Sequence, residues 1–418
     1  MSRSFFDAPP SALFGWSLLL GVALHSFIPT QPFRWEALFA CAAVSGFFSF
    51  RVKSKKYVVP VILLFGCCLG FARFEIARPK FPNELRIFDA SAFAYDRSVQ
   101  TGWMADRRSR LTQRILQIIP DDEGRLLAGI LYGERGLSKS TKDEVRRSGL
   151  SHLVAVSGAN VTIILGAIMK LLAPLKWSKR QRFRAISIGL ILFVLFVTPQ
   201  PPVTRAAIMG WLVALAPVVG RLPNMRHLLL TAAVAFVAWR PESLLFDPSF
   251  ALSFLAMIGL MTYGSSCADW IERKIKSPML AELIGSTIGA MLLTSPYAMW
   301  AFGQLSLIGL ISNLFAVPLV PWAMAIGTLV ILFPFPPFVF TAKLFLSAIL
   351  KIAERSAASP IGIWDEVFVS PFFMIGCYVA IAVGWGVMQK RKSVIHKKVS
   401  GDGPASDQPD KIRGLFFS

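Results

Sequence analysis

The sequence predicts an all-α polytopic integral membrane protein of about 11–12 transmembrane helices, with a short amphipathic extracytoplasmic segment. Of its 418 residues, 54% are hydrophobic and only 16% are charged. Its mean hydropathy is +0.57, and its apolar residues form blocks long enough to cross a bilayer, which takes roughly 17–25 residues per helix. No soluble core of this size needs so much apolar surface, so the composition excludes a soluble protein.

Twelve apolar blocks are the predicted spans. They are 11–29, 34–50, 57–74, 151–173, 184–198, 203–220, 227–240, 249–264, 279–302, 304–320, 322–342 and 368–389. The chain then divides into N-terminal transmembrane helices, an extracytoplasmic segment, a central membrane domain, a C-terminal amphipathic segment with one transmembrane helix, and a disordered tail. The corresponding ranges are 1–74, 75–119, 120–345, 346–389 and 390–418.

Basic residues predict the orientation, because Lys and Arg in short loops are retained on the cytoplasmic side. The basic clusters lie at 51–56, 176–184, 221–226, 273–276 and 390–398. With twelve spans and both termini in the cytoplasm, all five clusters are cytoplasmic. The net charge of +20 is therefore mainly a signal of topology and of contact with membrane lipids, and does not by itself indicate a nucleic-acid-binding protein.

The extracytoplasmic segment contains predicted amphipathic helices around 107–119 and 123–131, followed by a turn at 133–136. Ser138 and Ser140 are candidate caps of a third short helix that ends at Gly149. A basic cluster on the first helix is a candidate set of phosphate contacts, with a solvated face or lipid-headgroup contact as the alternative. Its members are Arg107, Arg108, Arg110 and Arg114.

Several kinds of chemistry are not indicated. The four histidines show no metal-ligand spacing, and the five cysteines are scattered and imply no disulfide framework. The stretch GERGLSKS at 133–140 lacks the Gly-Lys-Ser/Thr order of a phosphate-binding loop. We therefore predict no metal, no cofactor and no enzymatic activity, and we assign any ATP-driven motor to another chain.

The spans contain uncharged polar residues in place of mid-membrane charges. Ser157 and Asn160 share a helix face, while Gly158, Thr162 and Gly166 recur every four residues, a spacing that also serves helix packing. Arg205 follows two prolines at the outer end of a span. It has three open roles: snorkelling to the interface, pairing with Asp247, or contact with an anionic substrate.

Four ordered segments of this chain resemble the ComEC family of bacterial competence membrane channels. They are LLAGILYGERGLSKSTKDEVRRSGLSHLVAVSGANVT at 126–162, PPVTRAAIMGWLVALAPVVGR at 201–221, RPESLLFDPSFALSFLAMIGL at 240–260 and SPYAMWAFGQLSLIGLISNLFAVPLVP at 295–321. The resemblance covers about 120–345. It implies a pore in the bacterial cytoplasmic membrane that passes single-stranded DNA during natural transformation.

The resemblance also implies positions along the DNA path. Matched motif by motif, these are His152, Ser157, Gly158, Asn160, Thr204, Arg205, Asp247, Ser253 and Asn313, together with Ala206 and Pro318. The implied partners are single-stranded DNA, membrane lipids, a separate cytoplasmic motor ATPase and an external DNA receptor. Whether the pore is a monomer or a homodimer stays open, as do the strand polarity and the identity of the motor and nuclease.

Two features depart from the family's longer members. Those members carry a metallo-β-lactamase-like domain, whereas this sequence ends in a polar stretch without a metal-ligand cluster. Residues 75–105 are too few for the family's five-stranded oligonucleotide-binding barrel, so a reduced form of that region is expected.

Two alternative functions stay open. One is a transporter of another anionic polymer or lipid intermediate. The other is an intramembrane serine hydrolase using Ser157 with His152 or His227, although positions 152 and 157 lie about 140° apart on an ideal helix.

Overall fold

The computed structural model describes most of the chain. The described residues are 10–26, 55–77, 103–134, 136–154, 156, 158–197, 201–220, 224–241, 243–359, 362–364 and 367–399. The predicted span at 34–50, residues 78–102 of the predicted extracytoplasmic segment, Ser157 and residues 400–418 lie outside this description.

The described part of the chain is almost entirely helical, which confirms the predicted fold class. The helices are α1 (Pro10–Ser26), α2 (Lys55–Ala77), α3 (Trp103–Ile118), α4 (Asp121–Tyr132), α5 (Lys139–Arg147), α6 (Ser151–Val154), α7 (Gly158–Leu172), α8 (Lys179–Val197), α9 (Pro201–Leu215), α10 (Met225–Trp239), α11 (Ser243–Phe246), α12 (Pro248–Gly259), α13 (Ser265–Ile275), α14 (Pro278–Phe302), α15 (Ile308–Ala316), α16 (Val320–Leu332), α17 (Pro336–Ala357) and α18 (Pro371–Val399). A π-helical turn, Leu260–Gly264, joins α12 to α13, and a 3₁₀ turn, Val317–Leu319, joins α15 to α16. Strands β1 (Leu305–Ser306) and β2 (Ile363–Trp364) form one short antiparallel pair, in which Leu305 lies opposite Trp364.

Within the described residues, four continuous helical stretches are long and apolar enough to cross a membrane. These are Pro248–Ile275, Pro278–Phe302, Ile308–Leu332 and Pro336–Ala357. Shorter apolar helices accompany them, including the apolar parts of α1, α2, α7, α9, α10 and α18. Their exposed side chains are largely Leu, Ile, Phe and Trp, as expected where lipid tails rather than water surround the helices.

The main core is built around α4. Leu126, Leu127 and Ile130 are completely buried in a cluster that also contains residues of α16 and α17. Leu127 contacts Gly327 of α16, where an added Cβ would collide with the Leu127 side chain. Helix α4 thus lies inside the bundle and not on a solvated outer surface. The physical reason is its composition, because its acidic residues occupy only the first turn and an apolar run follows.

The boundaries of two predicted spans are wrong. The sequence suggests a break near Pro321 between spans at 304–320 and 322–342. The structure instead continues one helical stretch from Ile308 to Leu332 and starts the next at Pro336. The 3₁₀ turn at 317–319 accommodates Pro318 without ending the stretch, whereas the Phe-Pro-Phe-Pro-Pro run at 333–337 ends it, since proline fits only the first turn of a new helix.

The C-terminal helix is longer than predicted. Helix α18 continues to Val399, so residues 390–399, assigned by the sequence to a disordered tail, are helical. Residues 390–399 include Lys, Arg and His, which end the apolar run but are compatible with a helix. This range contains no Gly or Pro, and the next glycine is Gly401. Two phenols fix the apolar half of α18: Tyr263 donates to the Ile381 carbonyl at 2.9 Å, and Tyr378 donates to the Leu293 carbonyl at 2.8 Å.

Candidate functional site

The residues matched to the DNA path form two groups in the structure. The first group lies where α7, α9 and α12 begin. A Cβ added to Gly158, at the start of α7, would lie 3.5 Å from Cβ of Ala206 in α9. The neighbouring Arg205 reaches the first turn of α12. Three helix N-termini, each with a partial positive charge, therefore lie close together.

Arg205 is the central side chain of this first group. It is 2% exposed. Its Nη2 donates to the Ser249 carbonyl at 2.6 Å, and its Nη1 lies 3.8 Å from Oδ2 of Asp247. The guanidinium carbon lies 5.5 Å and 5.7 Å from the ring centroids of Phe236 and Phe250. Arg205 thus links α9, α10 and α12. Of the roles left open by the sequence, the structure contains the pairing with Asp247.

The Arg205 guanidinium is incompletely satisfied. Nε and Nη1 are buried without a hydrogen-bond partner, and the 3.8 Å approach to Asp247 is an ion pair longer than a hydrogen bond. Unpaired buried donors carry a desolvation penalty. The site therefore retains hydrogen-bonding capacity for an oxyanion.

Asp247 has a second role at the start of α12. Its Oδ1 accepts from the backbone N–H of Ser249 at 2.9 Å, so Asp247 is the N-cap of this helix. One carboxylate oxygen therefore caps the helix while the other faces Arg205.

Asn160 connects this first group to α4. Its Nδ2 donates to the Ile130 carbonyl at 2.8 Å, and the side chain is 1% exposed. The acceptor belongs to the last turn of α4, where carbonyls lack helical partners. Asn160, Arg205 and Asp247 are thus buried anchors between helices, while Thr204 and Ser253 are half-buried on α9 and α12.

The second group contains His152 and Asn313. The His152 Nδ1 lies 3.1 Å from the Gly149 carbonyl. Gly149 has φ +76°, and an added Cβ would lie 2.9 Å from Cα of Gly309, one helical turn before Asn313. Ser306 adds a bond from its Oγ to the Arg147 carbonyl at 2.8 Å. This group joins the end of α5 to the start of α15.

Asn313 carries an unsatisfied acceptor. Its Oδ1 is buried without a hydrogen-bond partner in the described part of the chain. The structure therefore separates the matched positions into two groups on different helices, with Ser157, between them in the sequence, outside the described residues.

The predicted arginine cluster on α3 divides into two kinds of residue. Arg108 is 9% exposed, and its Nη1 donates to the Phe196 carbonyl at 3.3 Å, in the last turn of α8. Its side chain is buried on the same side of α3 as Leu111 and Ile115 and is not part of the exposed arginine face, and its role as a phosphate contact stays a prediction. Arg107, Arg110 and Arg114 are exposed.

Sequence reasoning missed a cluster of hydrogen-bond donors around one carboxylate at the start of α4. Asp122 accepts bonds from the Ser138 backbone N–H at 3.1 Å, the Ser138 hydroxyl at 2.6 Å, the Thr141 hydroxyl, and Arg125 Nη1 at 3.1 Å. Ser138 itself caps α5, as predicted, accepting from Thr141 N–H at 3.3 Å. Burial opposes ionisation of Asp122, but these hydrogen bonds outweigh it and lower its pKa. The spacing of 16 residues between donor and acceptor gives no sequence signal.

Within the described ranges, no group of three or more His, Cys, Asp or Glu side chains is placed to hold a metal ion. The polar chemistry that the site offers is therefore hydrogen bonding and positive charge, from Arg205, the amides of Asn160 and Asn313, and three helix N-termini.

The fold is a bundle of apolar helices, and its buried polar groups are concentrated where three helices begin. These features define the class of protein as an integral membrane protein with polar groups inside its helix bundle. The family model "Competence protein" matches residues 130–391, more than half of the chain. The chain belongs to this family, the ComEC family of competence proteins.

A curated relative is similar over part of the chain. "ComE operon protein 3" of Bacillus subtilis (strain 168) is 24% identical over 205 residues, which are 48% of this chain and 25% of the relative. The chain thus aligns with about a quarter of the length of that relative. No solved structure matches.

Proposed function

We propose that this protein forms a path for single-stranded DNA across the bacterial cytoplasmic membrane during natural transformation. The observation that carries the proposal is the family match over residues 130–391, a range that contains both groups of path residues. In the proposal, membrane lipids surround the bundle, a separate motor ATPase pulls the strand from the cytoplasm, and an external receptor supplies it. Both termini are cytoplasmic, and a homodimer is an alternative to a monomeric path.

The chemistry of the first group supports an anionic cargo. A strand with one negative charge per nucleotide is attracted by cationic groups and helix N-termini. Passage also requires weak and repeated contacts instead of one tight site. Arg205, with two unpaired donor groups, provides such a contact. Because Arg205 is 2% exposed, we take the observed arrangement as closed, and passage requires the Arg205 side chain to leave its position between Phe236 and Phe250.

The test is strand-specific uptake in a transformable host. The gene is deleted and then restored, and double-stranded DNA labelled on one strand or the other is supplied. We expect deletion to abolish nuclease-protected intracellular label while surface-bound DNA persists, with only one strand recovered inside. Unchanged uptake in the deletion strain would contradict the proposal and favour a cargo such as another anionic polymer or a lipid intermediate.

A pair of matched variants examines the first group. Arg205→Gln removes the charge at the junction of α9 and α12, whereas Arg184→Gln removes an exposed charge from α8. Immunoblots of membranes confirm equal abundance, and Arg205→Lys retains the charge if the Gln variant is poorly made. We expect uptake to fall at least tenfold for Arg205→Gln and to be unchanged for Arg184→Gln, about the effect of losing 1.4 kcal/mol of favourable interaction.

A further inference from the structure

The exposed face of α3 carries three arginines, Arg107, Arg110 and Arg114. On an ideal helix, positions 107, 110 and 114 fall within about 60° of one another. Position 108 lies about 100° from position 107, and its side chain is committed to the Phe196 carbonyl. Arg110 and Arg114 make no hydrogen bond or ion pair with the described part of the chain, even though Asp106 lies one turn before Arg110.

We propose that this face, Arg107–Arg110–Arg114, is a docking surface for the phosphodiester backbone of single-stranded DNA. Along the helix axis the three positions are separated by about 4.5 Å and 6 Å, which distributes the charge linearly and suits successive phosphates. Arginine is also the side chain best suited to phosphate, because its planar guanidinium donates two parallel hydrogen bonds. The inference rests on the proposed function for its biological occupant.

The attachment of α3 gives this face its position. Arg108 donates to the last turn of α8, and α9, which carries Arg205, begins a few residues further along the chain. Ile115, about 80–140° around α3 from the three arginines, is buried in the main core together with Ile119, which follows the helix. Helix α3 is therefore attached at the end of the bundle where α8 ends, a few residues before the start of α9.

The composition of the face specifies how DNA is bound. Between the first and the last of the three arginines, residues 107–114 contain no aromatic side chain, so this part of the face offers phosphate contacts and no base stacking. The contact made by the arginines is electrostatic. It should therefore be independent of sequence and strongly dependent on salt.

The experiment uses the full chain in nanodiscs of uncharged phosphatidylcholine and a fluorescent oligothymidylate of about 20 nucleotides. Binding is followed by anisotropy over a salt series. The test variant is Arg110→Gln with Arg114→Gln. The matched control is Lys139→Gln with Lys142→Gln, which removes two exposed positive charges from α5, so both variants have the same net charge. Thermal unfolding verifies that both are folded.

For the test variant, we expect the slope of log affinity against log salt to become shallower by about 1.4, or 0.7 per phosphate contact. The control should retain the wild-type slope. Equal losses in the two variants would overturn the proposal, because the net charge alone would then account for binding. Unchanged DNA binding combined with weaker association with anionic phosphatidylglycerol nanodiscs would also overturn it, in favour of a lipid contact.

The outcomes separate this inference from the proposed function. If the test variant loses oligonucleotide binding but deletion of the gene does not affect uptake, the docking surface is supported and the DNA path is contradicted. If the test variant binds the oligonucleotide normally but deletion abolishes uptake, the DNA path is supported and the docking surface is contradicted.

Discussion

Arg205 is a buried charge, and its removal should also destabilise the buried carboxylate of Asp247. It is paired with Asp247 at 3.8 Å and is 2% exposed. In Arg205→Gln, the Asp247 carboxylate remains buried without its counter-charge. We expect the free energy of unfolding to fall by about 3–5 kcal/mol, the usual effect of breaking a buried pair from one side. Denaturant unfolding of the detergent-solubilised protein measures this.

A double-mutant cycle distinguishes the loss of the pair from a loss of packing. Asp247→Asn removes the charge but retains an N-cap, since Asn caps helices as well as Asp. Arg205→Gln combined with Asp247→Asn should therefore be more stable than Arg205→Gln alone. If the two single effects simply add, the ion pair is not the cause of the loss.

Asp122 should give a pH-dependent contribution to stability. Its pKa is lowered from 3.8 by hydrogen bonds that outweigh burial, so its ionised form is favoured in the folded state. The contribution is present above the ordinary Asp pKa and is lost as the pH falls through the lowered folded value. At neutral pH, the backbone amides of residues 136–141 should therefore be better protected from hydrogen exchange in the wild type than in Asp122→Asn. This difference should vanish in strong acid.

Amide hydrogen exchange of this segment is the measurement. The control is Asp143→Asn, which removes an exposed carboxylate that lies 3.8 Å from Arg146. A difference between wild type and Asp122→Asn that persists unchanged in acid would contradict the assignment of the protection to the ionised carboxylate.

At this scale, local signals were predictable and distant contacts were not. The cap at Ser138 follows from a short-range pattern. The commitment of Arg108 to the Phe196 carbonyl, 88 residues away, does not, since sequence alone cannot distinguish the buried arginine of α3 from its exposed neighbours. Phe236 and Phe250, which flank Arg205, are equally unremarkable as residues of apolar helices.

Between elements, α12 and the following π-helical turn pack closely on α14. A Cβ at Gly259 would collide with the Gly289 carbonyl, and a Cβ at Gly289 would lie 2.7 Å from the Gly264 backbone nitrogen. Helices without a hydrophobic driving force between them associate through such close backbone contact. The glycines therefore determine how near the two helices can lie.

Gly259→Ala should consequently separate α12 from α14. We expect a loss of a few kcal/mol in stability, because the obstructing atoms belong to the backbone and not to a flexible side chain. Gly384→Ala is the matched control, since nothing lies within 4 Å of a Cβ at that position of α18. Thermal unfolding of the two variants, at equal expression, tests the difference. Equal melting temperatures would contradict the packing argument.

The existence of the described elements could be predicted from hydropathy, whereas some boundaries could not. Both Pro318 and the prolines at 334–337 are potential helix ends, and only the tertiary structure shows that a 3₁₀ turn carries the chain past the first of them. Helix α4 illustrates the other limit. Its amphipathic pattern predicts a helix, but not that α16 and α17 surround it.

For the whole molecule, the revised boundaries are compatible with the predicted topology, which stays a prediction. Moving the break from Pro321 to 333–337 keeps the predicted number of spans between the extracytoplasmic segment and α18, so the predicted placement of the basic clusters on one side is unchanged. The contact between Gly149 and Gly309 also places the end of α5 beside the start of α15, as expected if both lie on the external side.

Cysteine labelling tests this topology directly. In a background with the five native cysteines replaced by alanine, Lys142→Cys in α5 and Lys176→Cys between α7 and α8 are both exposed positions. Because basic loops are retained in the cytoplasm, we expect a membrane-impermeant maleimide to label Lys142→Cys in intact spheroplasts. Lys176→Cys should be labelled only after permeabilisation, as should the control Arg226→Cys, which precedes the apolar part of α10. Labelling of Lys176→Cys in intact spheroplasts would show that the orientation of the bundle is opposite to the predicted one. The arginine face of α3 would then lie in the cytoplasm, where it could not receive incoming DNA.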